Sequence, residues 1–212
     1  MGIVRSKTGS LFKVAGLTAL FLPIVGASAG PLDIQKLRLK GAQSSKELRH
    51  FLETGLVAQR QTAIEMQIEN FERSLAAFKE AKHTERNAAL RQVQTVYEKF
   101  QVEFQSVADI LRALVDKHQS AYNERSGESF ADTATREKVL STVEVGKQEE
   151  ARALAAYNNR NFSYSAHLYL RSLRHYASAF ELRGWQPLVI MPAKPGKKPK
   201  VEKTPPAPAA PG

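Results

Sequence analysis

Two Glu-x-x-His pairs are the residues of this chain whose types and spacing come nearest to a reactive centre. They are Glu47 with His50, and Glu80 with His83. Helix bundles hold di-iron centres with this spacing when two such pairs lie on facing helices with further carboxylates between them. Here both pairs fall at opposite ends of the first predicted helical region, and the next helix has no Asp or Glu at its first eight inward positions. The pattern therefore predicts surface pairs and no metal site.

The other three histidines also lack the neighbours that catalysis requires. His118 closes a predicted apolar seam, which favours a core histidine bonded to backbone or water. His167 and His175 are eight residues apart, near one face of a predicted helix, and no Asp or Glu is spaced to orient either ring. Neither a Gly-x-Ser-x-Gly elbow nor a phosphate-binding glycine loop occurs. We expect no catalytic residue and no cofactor; an enzyme that uses His167 or His175 with distant residues is the alternative.

A long helix is the element that the sequence predicts most clearly. No proline occurs between Pro31 and Pro187, and nine positions within that span follow each other in steps of three and four residues: Leu90, Val93, Tyr97, Phe100, Phe104, Val107, Leu111, Leu114 and His118. This spacing is typical of a helix that buries one stripe against other helices. The helix before it is predicted to begin at the capping box Ser-Ser-Lys-Glu of residues 44–47. Together they predict a coiled-coil-like antiparallel hairpin over residues 30–122, with one very long interrupted rod as the alternative.

A second pair of helices is predicted over residues 133–191, after a linker at 123–132. The first of the two begins near Thr133, and the second ends at Gly184. Inward positions are predicted from the apolar spacing: Val139, Leu140, Val143 and Leu154 on the first helix, and Tyr169, Leu173, Tyr176 and Phe180 on the second. An apolar strap that begins at Trp185 is expected to fold back onto the bundle. Trp185 itself either covers the end of the bundle or anchors a partner.

The two ends of the chain differ from this helical body. Residues 1–29 are basic, then apolar, and finish on Ala27-Ser28-Ala29, which is the pattern of a cleavable signal peptide. An N-terminal membrane anchor is the alternative, and the short apolar run interrupted by Pro23 disfavours it. Residues 192–212 are rich in Pro and Lys and predict a disordered tail. No later segment is apolar enough to span a membrane. An exported chain without cysteine has no disulfides, which favours a bacterial periplasm.

The formal net charge of +10 says little about the partner. Three basic residues lie in the predicted leader and five lysines lie in the tail. The helical body is therefore only weakly basic, with both signs interspersed as on ordinary soluble surfaces. We expect no nucleic acid partner.

Residues 148–181 resemble a single tetratricopeptide-type helix pair. Small residues at Ala153 and Ala156 precede the turn, the stretch 160–165 (Arg-Asn-Phe-Ser-Tyr-Ser) matches the family's turn, and Tyr169 and Ser172-Leu173 follow at the family's spacing. Arg160 stands where the family usually has glycine. The alternative is an ordinary helical hairpin with the same packing. The candidate interaction residues of this region are Tyr164, His167, Arg171, His175 and Trp185.

The layout as a whole is similar to the flagellar-coiling and sheath proteins of spirochaete periplasmic flagella. The features that carry this likeness are the leader, the long helices and the segment from Tyr176 to Trp185. It implies a non-catalytic periplasmic component of a cell-envelope assembly, whose partners are other envelope or flagellar proteins or further copies of itself. A periplasmic holdase chaperone is the alternative, and it would expose an apolar concavity between helices.

Overall fold

The computed structural model describes residues 33–189 and shows an all-α protein, which confirms the predicted fold class. Five helices follow one another, with a short 3-10 turn at Ala58–Arg60: α1 (Ile34–Glu53), α2 (Gln61–Glu80), α3 (Arg86–Glu124), α4 (Thr133–Asn158) and α5 (Phe162–Leu182). The predicted leader at 1–29 and the predicted tail at 192–212 lie outside the described residues, as does the end of the strap. The described residues belong to one compact unit.

Helix α3 is the longest element and carries the predicted seam. Its 39 residues extend about 58 Å at 1.5 Å per residue. Six of the nine seam residues are buried and the other three are half-buried, so the predicted seam is confirmed. The first part of α3 packs on α2, where Phe100 lies 5.3 Å from the Phe71 ring. The last part packs on α5, where the ring of His118 lies 5.7 Å from that of Phe180.

Helix α1 begins ten residues before the predicted start, so the prediction of a capping box at Ser44 is wrong. Asp33 is the N-cap, and its carboxylate accepts hydrogen bonds from the backbone N–H groups of Gln35 and Lys36. Ser44 and Ser45 lie inside the helix and are buried. The structure also divides the first predicted helical region into α1 and α2. Gly55, at φ 71°, turns the chain between them.

The contact between α1 and α2 depends on Gly41. A Cβ atom at this position would lie 1.9 Å from Cζ of Phe71, far closer than two carbon atoms can approach. Phe71 is itself buried, at 2% exposure. A glycine is therefore required for α1 to lie against this aromatic ring.

Helices α4 and α5 approach each other closely along a line of small residues. The hydroxyl of Ser172 donates to the carbonyl of Gly146 over 2.8 Å, and that of Ser165 donates to the carbonyl of Ala153 over 2.8 Å. This contact line overturns part of the predicted core of α4. Two leucines predicted to point inward are exposed, Leu140 at 47% and Leu154 at 39%, because glycine and alanine form the contact.

Helix α5 lies between α3 and α4, and it is the most enclosed element. Its four predicted inward residues, Tyr169, Leu173, Tyr176 and Phe180, are all buried. The core role predicted for His118 is confirmed as well. Its Nδ1 atom donates to the carbonyl of Leu114 over 2.8 Å, and burial lowers the pKa of the imidazole.

Candidate interaction surface

Four of the five candidate interaction residues lie on one face of α5. Tyr164, His167, Arg171 and His175 follow the spacing of a single helical face. Tyr164 and Arg171 are exposed, and the two histidines are half-buried. We call these four residues the α5 face. Helix α1 contacts this face at His167, and α4 contacts it at Arg171 and His175.

His167 connects the α5 face to helix α1. Its ring centroid lies 4.7 Å from that of Phe51 and 6.4 Å from that of His50, with the two imidazoles nearly parallel. Burial lowers the pKa of His167; Glu47 opposes this effect, while His50 and Arg174 add to it. No sequence pattern predicted this cluster, although Glu47 and His50 were considered as a possible metal-binding pair.

Glu47 joins α1 to the first turn of α5. Its carboxylate accepts a hydrogen bond from the hydroxyl of Ser163 over 2.5 Å, and one from the side-chain amide of Gln43 over 2.6 Å. A contact across 116 residues of sequence thus replaces the local capping role predicted for this glutamate. Within residues 33–189, no cluster of three or more His, Cys, Asp or Glu side chains is placed to hold a metal ion.

Arg171 pairs with a buried carboxylate. Its Nη2 atom lies 2.6 Å from Oε1 of Glu149, whose side chain is only 5% exposed. The other carboxylate oxygen of Glu149 is buried without a hydrogen-bond partner. Arg152 lies farther away, at 3.8 Å from the same Oε1 atom. Arg171 therefore stabilises the contact between α4 and α5, in addition to lying on the α5 face.

We expect Arg171→Ala to lower the free energy of unfolding by about 1 kcal/mol, because it leaves a buried carboxylate without its main partner. The value lies at the low end of the usual range since the Arg171 side chain is 55% exposed. Arg152→Ala is the matched control and should change the stability by less than about 0.5 kcal/mol. Urea unfolding followed by circular dichroism measures both. Equal losses in the two variants would contradict the assigned pairing.

His175 lies where α5 crosses α4. A Cβ atom added to Gly146 would come within 3.3 Å of the Cβ of His175. Its backbone position is therefore determined by the close approach of the two helices. The side chain stands on the same face as Arg171, one turn farther along the helix.

Trp185 lies apart from the α5 face, at the end of the bundle. It is 8% exposed, and its indole N–H donates to Glu128 over 3.1 Å. The guanidinium groups of Arg125 and Arg183 stack on the ring, at 4.1 and 4.4 Å from its centroid. The strap thus folds back at Trp185, and the ring covers the bundle end, as in the first of the two predicted roles. The partners from 125–128 were not singled out by the sequence.

An open groove lies between α1 and α3, close to the N-terminus of α5. It has a volume of about 420 Å³, and its apolar lining comes from Leu39, Tyr97 and Phe104. Leu39 is 67% exposed. Lys40, Gln43 and Glu47 contribute polar groups to the same groove, so its surface is mixed.

No family model matches the chain, and no curated protein or solved structure shows significant similarity to it. Within residues 33–189, no helix combines the length and the apolar character that crossing a membrane requires. The function must therefore be inferred from the surfaces described above.

Proposed function

We propose that this protein is a non-catalytic interaction module of the periplasm, and that it binds another protein of a cell-envelope assembly through the α5 face. The observation that carries the proposal is the contrast within α5. Eleven of its residues are buried, yet Tyr164 and Arg171 on the α5 face are exposed, and His167 and His175 are half-buried. A face held by a packed helix is ordered before binding, which reduces the entropic cost of association.

The composition of the face indicates the chemistry of its partner. Between Phe162 and Phe180, α5 contains no Asp or Glu, whereas it contains two histidines, Arg174 and Arg171, the last of which pairs with Glu149 of α4. Tyr and Arg are the residue types that contribute most often to binding energy at protein interfaces. We infer a partner surface that presents carboxylates, since complementary charge favours association.

The compartment in this proposal follows from the sequence. The signal-peptide pattern of residues 1–29 and the absence of cysteine both favour export to a bacterial periplasm. The assembly that we name is the periplasmic flagellum, with the protein as a sheath or coiling component. The long helix α3 and the architectural likeness described above support this choice.

A photo-crosslinking amino acid at position 164 tests the proposal in intact cells. Tyr164 is 52% exposed, and Met66 on α2, at 56%, is a control position of similar exposure. We expect a discrete crosslinked product from position 164 and none from position 66. Arg174→Glu should reduce that product at least threefold, because it reverses a charge beside the α5 face.

Two results would count against this proposal. One is the same pattern of products from positions 164 and 66, which would indicate non-specific contact. The other is a product from position 164 that Arg174→Glu leaves unchanged, with the fold intact by circular dichroism. Normal motility and envelope integrity after deletion of the protein would argue against the flagellar assembly in particular.

A holdase chaperone is the second candidate, and the groove of Leu39, Tyr97 and Phe104 is the observation that favours it. The apolar side chains of this mixed groove would contact unfolded segments of envelope proteins. Suppression of the aggregation of an unfolded outer-membrane protein, and its loss in Leu39→Lys, would support this function. No suppression at a tenfold molar excess would exclude it.

A further inference from the structure

Helix α1 is joined to α2 by a short segment, and it packs on α2 and α3 as well as contacting α5. Residues 54–60 join the two helices, and Gly55 in this segment takes the left-handed conformation. Contacts with α5 are made by α1 side chains of its last two turns: Glu47, His50 and Phe51. The α4–α5 pair and the α3–α5 contact do not include these residues.

Burial is the main factor that opposes a positive charge on His167; Glu47 favours that charge, and His50 and Arg174 oppose it. On α1, His167 faces Glu47 and His50, and on its own helix it faces Arg174. Glu47 is the one carboxylate among these groups, and it already accepts hydrogen bonds from Ser163 and Gln43. A protonated His167 would therefore lie near Arg174 and stack on the ring of His50.

The direction of the pH effect follows from burial. In the docked state, burial lowers the pKa of His167 below its ordinary value of 6.5. If α1 moves away, the ring becomes hydrated and its pKa returns towards that value. Protons therefore bind better to the detached state, and the docked state loses stability as the pH falls through and below 6.5.

We propose that the contact between His50 and His167 is an acid-sensitive switch, in which mild acid detaches α1 from α5 while α3, α4 and α5 remain packed. Detachment uncovers Phe51 and the inner side of His167, and so enlarges the apolar surface next to the α5 face. The proposal concerns a contact within the chain and does not depend on the partner proposed above.

Hydrogen–deuterium exchange of the mature protein at pH 7.5 and pH 5.5 tests this directly. Exchange rates are divided by the intrinsic rate at each pH, so that protection factors are compared. We expect the protection factors of α1 amides to fall more than those of α4 amides, because α1 loses its contacts with α5 when His167 gains a proton. Fluorescence of Trp185, at the far end of the bundle, should stay constant.

Variants separate the switch from general acid destabilisation. His167→Phe keeps a ring against Phe51 without a titrating group, and His50→Gln removes the facing imidazole from a partly exposed position. Each variant should remove most of the difference between α1 and α4 in the loss of protection at pH 5.5. His83→Gln, at an exposed site beyond α2, should leave that difference unchanged. His118 also has a lowered pKa, but it lies in the α3–α5 core and would weaken all helices together. Equal loss of protection in α1 and α4, or an unchanged difference in both variants, would overturn the proposal.

Discussion

Replacement of Trp185 by alanine is expected to lower the free energy of unfolding by about 3–5 kcal/mol, the usual cost of removing a buried large aromatic side chain. The indole packs on Phe180 at 5.4 Å and on Tyr122 at 5.9 Å, so it joins the ends of α3 and α5. Its loss also leaves Arg125 and Arg183 without the ring on which both stack. Thermal and urea unfolding, each followed by far-ultraviolet circular dichroism, measure the change.

Leu188→Ala is the control for this prediction, because Leu188 belongs to the same strap but is 45% exposed. It should change the stability by no more than about 0.5 kcal/mol. The pair of variants also decides between the two roles that the sequence allows for Trp185. A stable Trp185→Ala protein that has lost its envelope partner would show that the ring is an anchor and that its packing contributes little.

Substitution of Gly41 by alanine is expected to destabilise the protein by about 1–3 kcal/mol, as over-packing of a core commonly does. The new methyl group would overlap the Phe71 ring, with distances of 1.9 and 2.2 Å to two of its carbon atoms. That ring cannot simply turn away, because it lies 5.3 Å from Phe100 in the α2–α3 core. Gly41→Val should cost more. Urea unfolding gives both values.

Gly127→Ala is the matched control for Gly41, since a Cβ atom at Gly127 meets nothing within 4 Å. It should leave the stability unchanged. A second check combines Gly41→Ala with Phe71→Leu. The smaller side chain relieves the overlap, so the double variant should be more stable than the sum of the two single effects predicts. An additive double variant would mean that Gly41 and Phe71 do not collide.

Regular apolar spacing made the helices predictable, because each residue of the α3 seam independently indicates the same buried side of one helix. Phe100, Phe104 and Leu111 are inward for the reason that the spacing gives. The start of α1 was harder, since residues 44–47 contain every part of a capping box and Asp33 precedes no comparable motif. In the structure, Ser44 is a small buried residue inside α1. Its role is in packing, whereas the cap pattern predicts a role at the helix N-terminus.

Close contacts between helices account for most of what sequence reasoning missed. Leu140 and Leu154 fit an apolar stripe on α4, but the stripe that meets α5 contains Gly146 and Ala153, seven residues apart. That spacing of small residues is the signal that would have identified the true contact line. Gly41 offers no comparable signal, because its partner Phe71 lies on another helix.

The candidate surface was predictable only where it lies within one helix. Helical spacing alone places Tyr164, Arg171 and His175 together. The pairing of His167 with His50 depends on how α1 crosses α5, which no local pattern specifies. The same holds for Glu149, a buried carboxylate whose partner Arg171 lies on the neighbouring helix.

The two serine hydroxyls between α4 and α5 have a consequence for how accurately the surface is built. Ser165 and Ser172 are seven residues apart, and so are the carbonyl groups of Ala153 and Gly146 that accept from them. A shift of one helix along the other by a single residue would break both hydrogen bonds at once. It would leave the two buried serine hydroxyls without partners. The two hydrogen bonds therefore determine the position of α5 along α4. As a result, the outward side chains of the two helices keep the same positions relative to each other.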